Sequence, residues 1–496
     1  MTSLTKGMGL TKGMGPRLLW GLMALLLVTR LATMAWLPLM DTTEARYAEI
    51  GRKMAELGDW ITPWFDYGVP FWGKPPLSFW MTALSFRLFG VSEFAARLPH
   101  LLCGLGTAAF VWCFARRWLD ARRALLCLSL LAGSVLFLVA AGAVMTDGAL
   151  VLCLTWAMCS FWDALHAETK TQQRLQGASF FAALGLGVLA KGPLMLVLVG
   201  LSLAPWLWQQ RRWGEAWRRL WVGSGLMLMA AIALPWYLLA ELHTPGFLHY
   251  FLLGEHWQRF VTPGWSGDRY GHAHREILGT IWLFALMAVL PWTILLPLAI
   301  WRSRAAQEAL ASDVRAQPRG LNAYLLWWAL MPLLFFSAAS NIIMTYALPA
   351  MPAAALWAGN CMVRRVARPE VWTAAGLLWV LTLGTTFVLY ADYSGRFERK
   401  TARSVVLACA QAGESDIARP LFFVGSRPYS ASFYSRGRAT RLRPQDPLPS
   451  VPWGPQGICL ALPAGNAFAV PRGFVNAGNL GRFGAWDLHW LRAQGG

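Results

Sequence analysis

The chain has 496 residues, of which 56% are hydrophobic, 29 are tryptophan and only 14% are charged. So few charges exclude an ordinary soluble protein, whose surface needs more of them. The net charge of +19 would suit a nucleic-acid-binding protein. The arginines are scattered over short loops rather than gathered on one domain, so we do not predict nucleic acid as a partner.

Apolar windows long enough to cross a membrane recur along most of the chain. A helix needs about 20 apolar residues to cross a hydrocarbon core of roughly 30 Å. We therefore predict a polytopic α-helical membrane protein with about 11–13 transmembrane helices. Eleven of them can be located, near residues 18–39, 98–115, 124–143, 148–166, 178–190, 193–209, 220–240, 277–300, 321–337, 343–362 and 372–391.

Basic residues are unevenly divided between the two sides of these spans. The loops on one side contain four, four, four and three Lys or Arg, whereas two short loops on the other side contain none and one. Because positively charged loops stay in the cytoplasm, one orientation is favoured. The first apolar run is too long for a cleavable signal peptide and is predicted to be a signal anchor.

Three segments outside the spans are long enough to carry function: 41–97, 241–276 and 392–496. With an odd number of spans all three face outward, which in a bacterium is the periplasm. We expect a cytoplasmic N-terminal tail (1–17), a transmembrane domain (18–391) that includes the first two outer segments, and a periplasmic domain formed by the third.

The first outer segment opens with an amphipathic pattern. Apolar residues from Tyr47 to Leu57 recur at helical spacing, polar residues occupy the opposite face, and Gly58 stands where a helix would end. The pattern predicts a helix lying along the membrane surface. The proline-rich and aromatic stretch that follows, 59–80, is typical of a loop in the headgroup layer.

The third outer segment has a different composition. It contains thirteen Lys or Arg, and the strand-like runs "PLFFVG" and "GICLALP" are separated by turn signals. We predict a small α/β domain. Cys409 and Cys459 are the two cysteines that lie away from the apolar spans, and the sequence leaves their pairing open.

Charged residues from distant parts of the chain are predicted to meet at the outer membrane face; they are Asp41, Glu44, Arg46, Lys74, Asp147 and Lys191. A charge in hydrocarbon costs about 2.5 to 3.5 kcal/mol on insertion scales, so such residues usually pair or have a function.

Each of these residues also has a structural explanation. Asp41, Thr42 or Thr43 could cap the surface helix, with Glu44 favoured in its first turn by the helix dipole. Lys74 could snorkel among aromatic rings, and Asp147 could simply pair with Lys191. Their combination is more specific, because it suits a reaction whose leaving group is a lipid-linked phosphate. Lys and Arg would stabilise the charge that builds on the departing phosphate, and a carboxylate would orient or deprotonate the acceptor.

Six stretches, in chain order, resemble the GT-C glycosyltransferases related to lipid A aminoarabinose transferase and to dolichyl-phosphate-mannose protein mannosyltransferases. The resemblance runs from about residue 35 to 360. The stretches are "DTTEARYAEIGRKMAELGDWITP", "GKPPLSFWMTALSFRLFGVSEFAARLP", "MTDGAL", "GVLAKGP", "FLLGEHWQRF" and "TYALPAMPAAAL".

The resemblance implies a GT-C fold and an inner-membrane enzyme that moves a sugar, with inversion, from undecaprenyl phosphate to a periplasmic acceptor such as a lipid A phosphate. Another glycan or a protein is the alternative acceptor. By motif, the catalytic candidates are Glu44, Asp41 and Asp147. The candidates for binding the donor phosphate are Arg46, Lys74, Lys191 and Arg259. The candidates for lining the substrate cavity are Tyr47, Phe71, Trp72, Glu255 and Tyr346.

The chain departs from the family pattern at three places. Thr43 precedes Glu44 where close relatives read Asp-Glu, so the identity of the base stays open among the carboxylates. Phe71 and Gly73 stand where relatives often have a tyrosine and an acidic residue. Asn341 stands near the position of a usual lysine, so a hexosamine or a neutral hexose is an alternative to aminoarabinose.

Four histidines of the second outer segment are candidate ligands for a metal ion: His249, His256, His272 and His274. No cysteine pattern accompanies them. We predict no obligatory metal; a divalent cation held by His272 and His274 is the alternative.

Two other classes of protein are alternatives to an enzyme. A transporter or lipid flippase also has many spans and buried charges, but the halves show no repeat and the large outer loops lie on one side. A structural scaffold accounts poorly for the charged cluster.

Overall fold

The computed structural model describes residues 4–262, 264–271, 276–304, 318–339, 341–412, 420–443, 457–466, 470 and 474–493. The described chain is a helical bundle followed by a small sheet domain. The first eleven helices are α1 (Leu4–Trp36), α2 (Thr43–Leu57), α3 (Leu77–Phe89), α4 (Glu93–Trp118), α5 (Ala121–Ala132), α6 (Val135–Ala140), α7 (Asp147–Leu165), α8 (Lys170–Lys191), α9 (Leu194–Gln210), α10 (Trp213–Arg219) and α11 (Val222–His243).

The second half of the bundle is more broken. After α11 the chain forms a helical segment made of Phe247–His249, the π-helix Tyr250–Gln258 and Arg259–Val261. The remaining helices, including two 3₁₀ segments, are Thr280–Ala288, Trp292–Arg302, Leu321–Ser337, Met344–Ala350, Met351–Arg365, Pro369–Tyr393, Glu398–Lys400, Arg403–Gln411 and Tyr429–Tyr434.

All eleven predicted spans coincide with helical segments. Within the described residues, five helices are long and apolar enough to cross a membrane: Gly15–Trp36, α4, α7, α11 and Pro369–Tyr393. The pair Thr280–Ala288 and Trp292–Arg302 is long and apolar enough only when taken together, and its bend of 73° at the break fits either a broken span or a re-entrant loop. The other predicted spans fall on shorter, interrupted or partly polar helices, so the total number that crosses the bilayer stays a prediction.

The first outer segment is more regular than its prolines suggested. The hairpin of β1 (Trp64–Asp66) and β2 (Val69–Pro70) is followed by Lys74, and α3 then begins directly after Pro75 and Pro76. Proline is favoured at this position because its fixed φ suits the first helical turn. The sequence-based interpretation of 59–80 as a loop missed the start of this helix, which continues to Phe89.

The predicted amphipathic helix is confirmed as α2, but its polar face is not solvated. The polar side chains of Glu49, Arg52 and Lys53 are buried as deeply as the apolar face. Arg52 binds Glu49 at 2.6 Å, and Lys53 donates to the carbonyl of Phe65 at 2.7 Å. The β1–β2 hairpin and the C-terminal domain therefore cover the face that was expected to be solvated.

The small C-terminal sheet domain is confirmed. Its strands are β3 (Leu421–Val424), β4 (Thr440–Leu442), β5 (Ile458–Pro463), β6 (Phe474–Phe483) and β7 (Trp486–Ala493). The order is β4-β3-β5-β7-β6; β3 is parallel to β4 and β5, and the other two pairings are antiparallel. Cys459 on β5 forms a disulfide with Cys409 on the preceding helix Arg403–Gln411.

Candidate functional site

The centre of the candidate site is an ion triad built from the first two outer segments. Lys74 Nζ lies 2.9 Å from Glu255 Oε2, and Arg259 Nη1 lies 3.0 Å from the same oxygen. Arg259 also reaches Asp268 Oδ2 at 3.4 Å. Glu255 and Arg259 are four residues apart, which places both side chains on one face of the helical segment. Two cations therefore share one buried carboxylate.

The pKa of each member of this triad is shifted toward its charged form. Burial is the largest influence on Lys74 and disfavours its charged form, but Glu255 together with Tyr47 and Tyr346 outweighs it, and the pKa of Lys74 is raised. Burial likewise opposes ionisation of Glu255, but Lys74 and Arg259 outweigh it and lower its pKa. The pKa of Arg259 is raised because its acidic neighbours outweigh burial.

A second ion pair lies next to the triad. Lys191, the last residue of α8, donates to Asp147 at the start of α7 at 2.6 Å, and both side chains are buried. The Lys191 ammonium also stands 5.0 Å from the ring centre of Tyr346. Tyr346 also contributes to raising the pKa of Lys74 and of Arg259, so it lies near both ion groups.

Gly192 allows the second outer segment to approach this pair. Its φ is +70°, and a Cβ there would meet Phe251 Cζ at 2.6 Å and His256 Nε2 at 3.1 Å. The ring of His256 contacts the carbonyl oxygens of Phe251 and Lys191 at 2.8 and 3.3 Å. The glycine of "LAKGP" thus permits the contact that brings Lys191 to the triad.

Glu44 is held by an arginine that the sequence reasoning did not single out. Arg97 on α4 binds both carboxylate oxygens at 2.8 and 2.7 Å. Arg97 Nη1 also donates to the carbonyls of Met34 and Leu37 near the end of α1. The backbone N–H of Val144, three residues before Asp147, lies 3.4 Å from Glu44. Glu44 therefore sits beside the Asp147 segment in a rigid, bidentate pair.

Arg46 has no carboxylate within salt-bridge distance among the described residues. Its Nη1 donates to the backbone carbonyl of Tyr270 at 2.5 Å, and its guanidinium lies 5.1 Å from the ring centre of Tyr47 and 5.6 Å from that of Tyr429. An arginine that has no carboxylate and is flanked by aromatic rings retains capacity for an anion.

Asp41 lies against the C-terminal domain. Its carboxylate accepts hydrogen bonds from the backbone N–H and the hydroxyl of Ser430. Burial raises the pKa of Asp41, and the bonds from Ser430 act in the opposite direction. It does not cap α2, whose N-terminus has no side-chain cap. In this structure Asp41 joins two parts of the chain.

The aromatic candidates Tyr47, Phe71 and Trp72 belong to the first outer segment and lie on that side of the triad. Tyr47 packs edge-on against Phe71 and Phe79, and it lies close enough to Lys74 to act on its pKa. Trp72 donates from its indole N–H to Thr244 at 3.0 Å and faces Tyr250. Phe71 is buried, so it shapes the wall rather than presenting a free face.

The described residues contain no group of three or more His, Cys, Asp or Glu that could hold a metal. His272 and His274, on which the alternative of a divalent cation depended, lie outside the described residues.

The structure thus brings Glu44, Lys74, Asp147 and Lys191 into one region, together with Glu255, Arg259, Tyr47 and Tyr346. It places Arg46 at the edge of this region and Asp41 at the domain contact. Sequence reasoning missed Arg97, Asp268 and Tyr270. Arg97 belongs to the quoted stretch "FAARLP" and was a detectable signal, because an arginine at the start of a span needs a partner.

The chain is similar to known membrane transferases. Residues 17–251 match the family model of the dolichyl-phosphate-mannose-protein mannosyltransferases. The undecaprenyl phosphate-alpha-4-amino-4-deoxy-L-arabinose arabinosyl transferase of Enterobacter sp. (strain 638) is 32% identical over 346 residues, which is 70% of this chain and 59% of that protein. The corresponding transferase of Edwardsiella ictaluri (strain 93-146) is 34% identical over 65% of this chain and 55% of its own length.

A solved structure agrees over nearly the whole chain. The crystal structure of ArnT from Cupriavidus metallidurans bound to undecaprenyl phosphate superposes with a TM-score of 0.74, at 21% identity, covering 94% of this chain and 97% of that one. This chain belongs to the GT-C glycosyltransferase superfamily. Its fold is that of the superfamily's polytopic membrane proteins, and the chain spans less than two thirds of the length of the two curated relatives above.

Proposed function

We propose that this chain is an inverting glycosyltransferase that moves a sugar from undecaprenyl phosphate to a phosphate of lipid A. The sugar is aminoarabinose, as the names of the relatives suggest, or another amino sugar or hexose. The observation that carries the proposal is the triad of Lys74, Glu255 and Arg259, because it gathers two cations from separate segments at one buried point.

The triad suits the leaving group of this reaction. In an inverting transfer the acceptor oxygen attacks the anomeric carbon from the face opposite the carrier. The bond between that carbon and the carrier oxygen breaks, and the electron pair departs with undecaprenyl phosphate. Lys74 and Arg259 would stabilise this gain of charge, and their fixed positions require little reorganisation during the step.

The remaining candidates surround that point. Lys191 and Arg46 would contact the donor phosphate or its sugar, and Tyr47, Trp72 and Tyr346 would line the path of the substrate. Asp147 and Glu44 are each engaged by a cation, Lys191 and Arg97 respectively. A phosphate acceptor, already ionised at neutral pH, needs no strong base. A lipid A phosphate is therefore an acceptor that suits a site whose carboxylates are engaged in ion pairs.

We place the site on the periplasmic side of a bacterial inner membrane. The basic loops between spans support this orientation, and so does the Cys409–Cys459 disulfide, because disulfides persist in oxidising compartments. A C-terminal alkaline phosphatase fusion should be active in cells. A fusion after Gln210, in a loop expected to be cytoplasmic, should not, and the reverse pattern would contradict the orientation.

The activity is tested by purified protein supplied with undecaprenyl-phosphate aminoarabinose and lipid A, with the product detected by mass spectrometry. Lys74→Ala and Glu44→Gln should each lower the transfer rate by about 10²-fold or more, as expected for loss of a charged group that acts at a reacting centre. Lys170→Ala, an exposed lysine at the start of α8, serves as the control. Wild-type rates in both site variants would contradict the proposal.

A further inference from the structure

Tyr270 is a buried residue of the second outer segment that contacts both cation-bearing parts of the first one. Its hydroxyl donates to the carbonyl of Pro70 at 2.9 Å and accepts the backbone N–H of Trp72 at 3.0 Å. Its own backbone carbonyl accepts from Arg46 Nη1 at 2.5 Å. One residue therefore fixes the backbone of the loop two positions before Lys74 and also fixes the guanidinium on α2.

The ring of Tyr270 also packs against aromatic rings of the first outer segment. Its centre lies 4.6 Å from that of Phe71 and 5.1 Å from that of Phe65. A Cβ on Gly73 would lie 2.9 Å from Phe71 Cζ and 3.4 Å from Tyr270 Cδ2, so the loop passes close to both rings. The residue before Lys74 is thus held against a packed aromatic surface.

We infer that Tyr270 is a positioning residue, which holds Lys74 and Arg46 in register with the Glu255 and Arg259 segment so that the cations meet one anionic substrate. The identity of that substrate rests on the proposed function, whereas the contacts of Tyr270 do not depend on it. Lys74 would still reach Glu255 in some conformations without the Tyr270 hydroxyl, but the loop would sample others, and small displacements at a reacting centre are costly.

The Tyr270→Phe variant removes the hydroxyl and keeps the ring. Loss of this group leaves the Pro70 carbonyl and the Trp72 N–H without their partner, so the loop should open more often. Hydrogen–deuterium exchange of peptides covering 67–76 should then be faster than in the wild type. The matched control is Tyr324→Phe, because Tyr324 is also buried and donates to one backbone carbonyl, that of Met158, within the transmembrane core.

The effect on substrate use separates positioning from general destabilisation. Tyr270→Phe should raise the KM for the undecaprenyl-phosphate sugar by about tenfold and leave the KM for lipid A nearly unchanged, since the loop is expected to hold the donor. In a Lys74→Ala background the same substitution should add little, because residues that act through one another are not additive. Tyr324→Phe should lower the Tm, but it should neither raise the donor KM nor lose its effect in the Lys74→Ala background.

Exchange at 67–76 that stays at the wild-type rate would overturn the inference. A donor KM that is unchanged, or a loss that is fully additive with Lys74→Ala, would overturn it as well. If the wild type transfers no sugar, the proposed function fails instead. The exchange experiment then still decides whether Tyr270 holds the loop.

Discussion

At the scale of single residues, Glu255 has the most unusual position, because it neutralises two cations that the proposal assigns to the donor phosphate. In the free protein this carboxylate occupies the place of an anion. A phosphate that arrives must therefore share Lys74 and Arg259 with Glu255 or draw them away from it. We therefore expect the carboxylate to lower the affinity for the carrier and to promote its release.

The Glu255→Gln variant tests this account. It should bind undecaprenyl phosphate about tenfold more tightly, because Lys74 and Arg259 lose their internal partner. Turnover should fall as product release slows, and the Tm should drop because Lys74 loses its buried carboxylate partner and Arg259 is left with Asp268. Binding can be measured by titration and turnover by mass spectrometry.

Glu215→Gln is the matched control, because Glu215 also bridges two arginines, Arg212 and Arg219, on α10. It should leave carrier affinity unchanged. Unchanged or weaker affinity in Glu255→Gln would show that the carboxylate does not compete with the phosphate.

At the scale of elements, the stretch from β2 to the start of α3 is positioned by one glycine and two prolines. Gly73→Ala would force a Cβ to within 2.9 Å of Phe71 Cζ, closer than real contacts allow, so Phe71 or the backbone must shift. Because Lys74 is the next residue, the shift should raise the donor KM by about tenfold with a small change in Tm.

Gly200→Ala provides the comparison for this prediction. Gly200 lies within α9, and nothing stands within 4 Å of the Cβ it would gain. The substitution should be neutral or stabilising by up to about 1 kcal/mol, since alanine is the better helix former. Equal kinetics for the two variants, measured by varying donor concentration, would show that the close packing at Gly73 does not affect Lys74.

The helices could largely be predicted from the sequence, but the contacts between them could not. Apolar windows located the spans because a bilayer demands a minimum length, and the period of α2 was visible in the sequence. Glu49, Arg52 and Lys53 looked solvated because no pattern within α2 reveals that the hairpin and the C-terminal domain cover it. The partners of Glu44 and Lys74 are 53 and 181 residues away along the chain, beyond the reach of local spacing.

At the scale of the whole molecule, the C-terminal domain is attached to the first outer segment through several polar contacts. Besides the contact of Asp41 with Ser430, Arg427 Nη2 lies 2.6 Å from Asp66 Oδ2, and Tyr434 donates to Glu93 at 3.1 Å. The sequence separated this domain by composition but gave no sign of its docking, because each contact joins residues hundreds of positions apart. The domain thereby supports α2 and, through it, Arg46.

The ion pair of Asp66 with Arg427 gives this docking a pH dependence. Burial opposes ionisation of Asp66, but Arg427 and Lys53 outweigh it and lower its pKa below the ordinary value. A lowered folded-state pKa means that the contribution to stability is present above about pH 4 and is lost as the pH falls through the folded-state pKa. Docking should therefore stay intact at neutral pH and weaken only in acid.

The Arg427→Ala variant should release the docking at neutral pH. It removes the bond to Asp66 and the bond from Nη1 to the carbonyl of Ala439, and it leaves Lys53 as the remaining cation near Asp66. Proteolysis or hydrogen exchange should then reveal faster opening of 43–70, and transfer should slow as Arg46 loses support. Arg482→Ala, which breaks an exposed pair with Asp487 inside the sheet domain, should change neither. If both variants behave like the wild type, the C-terminal domain does not hold the first outer segment in place.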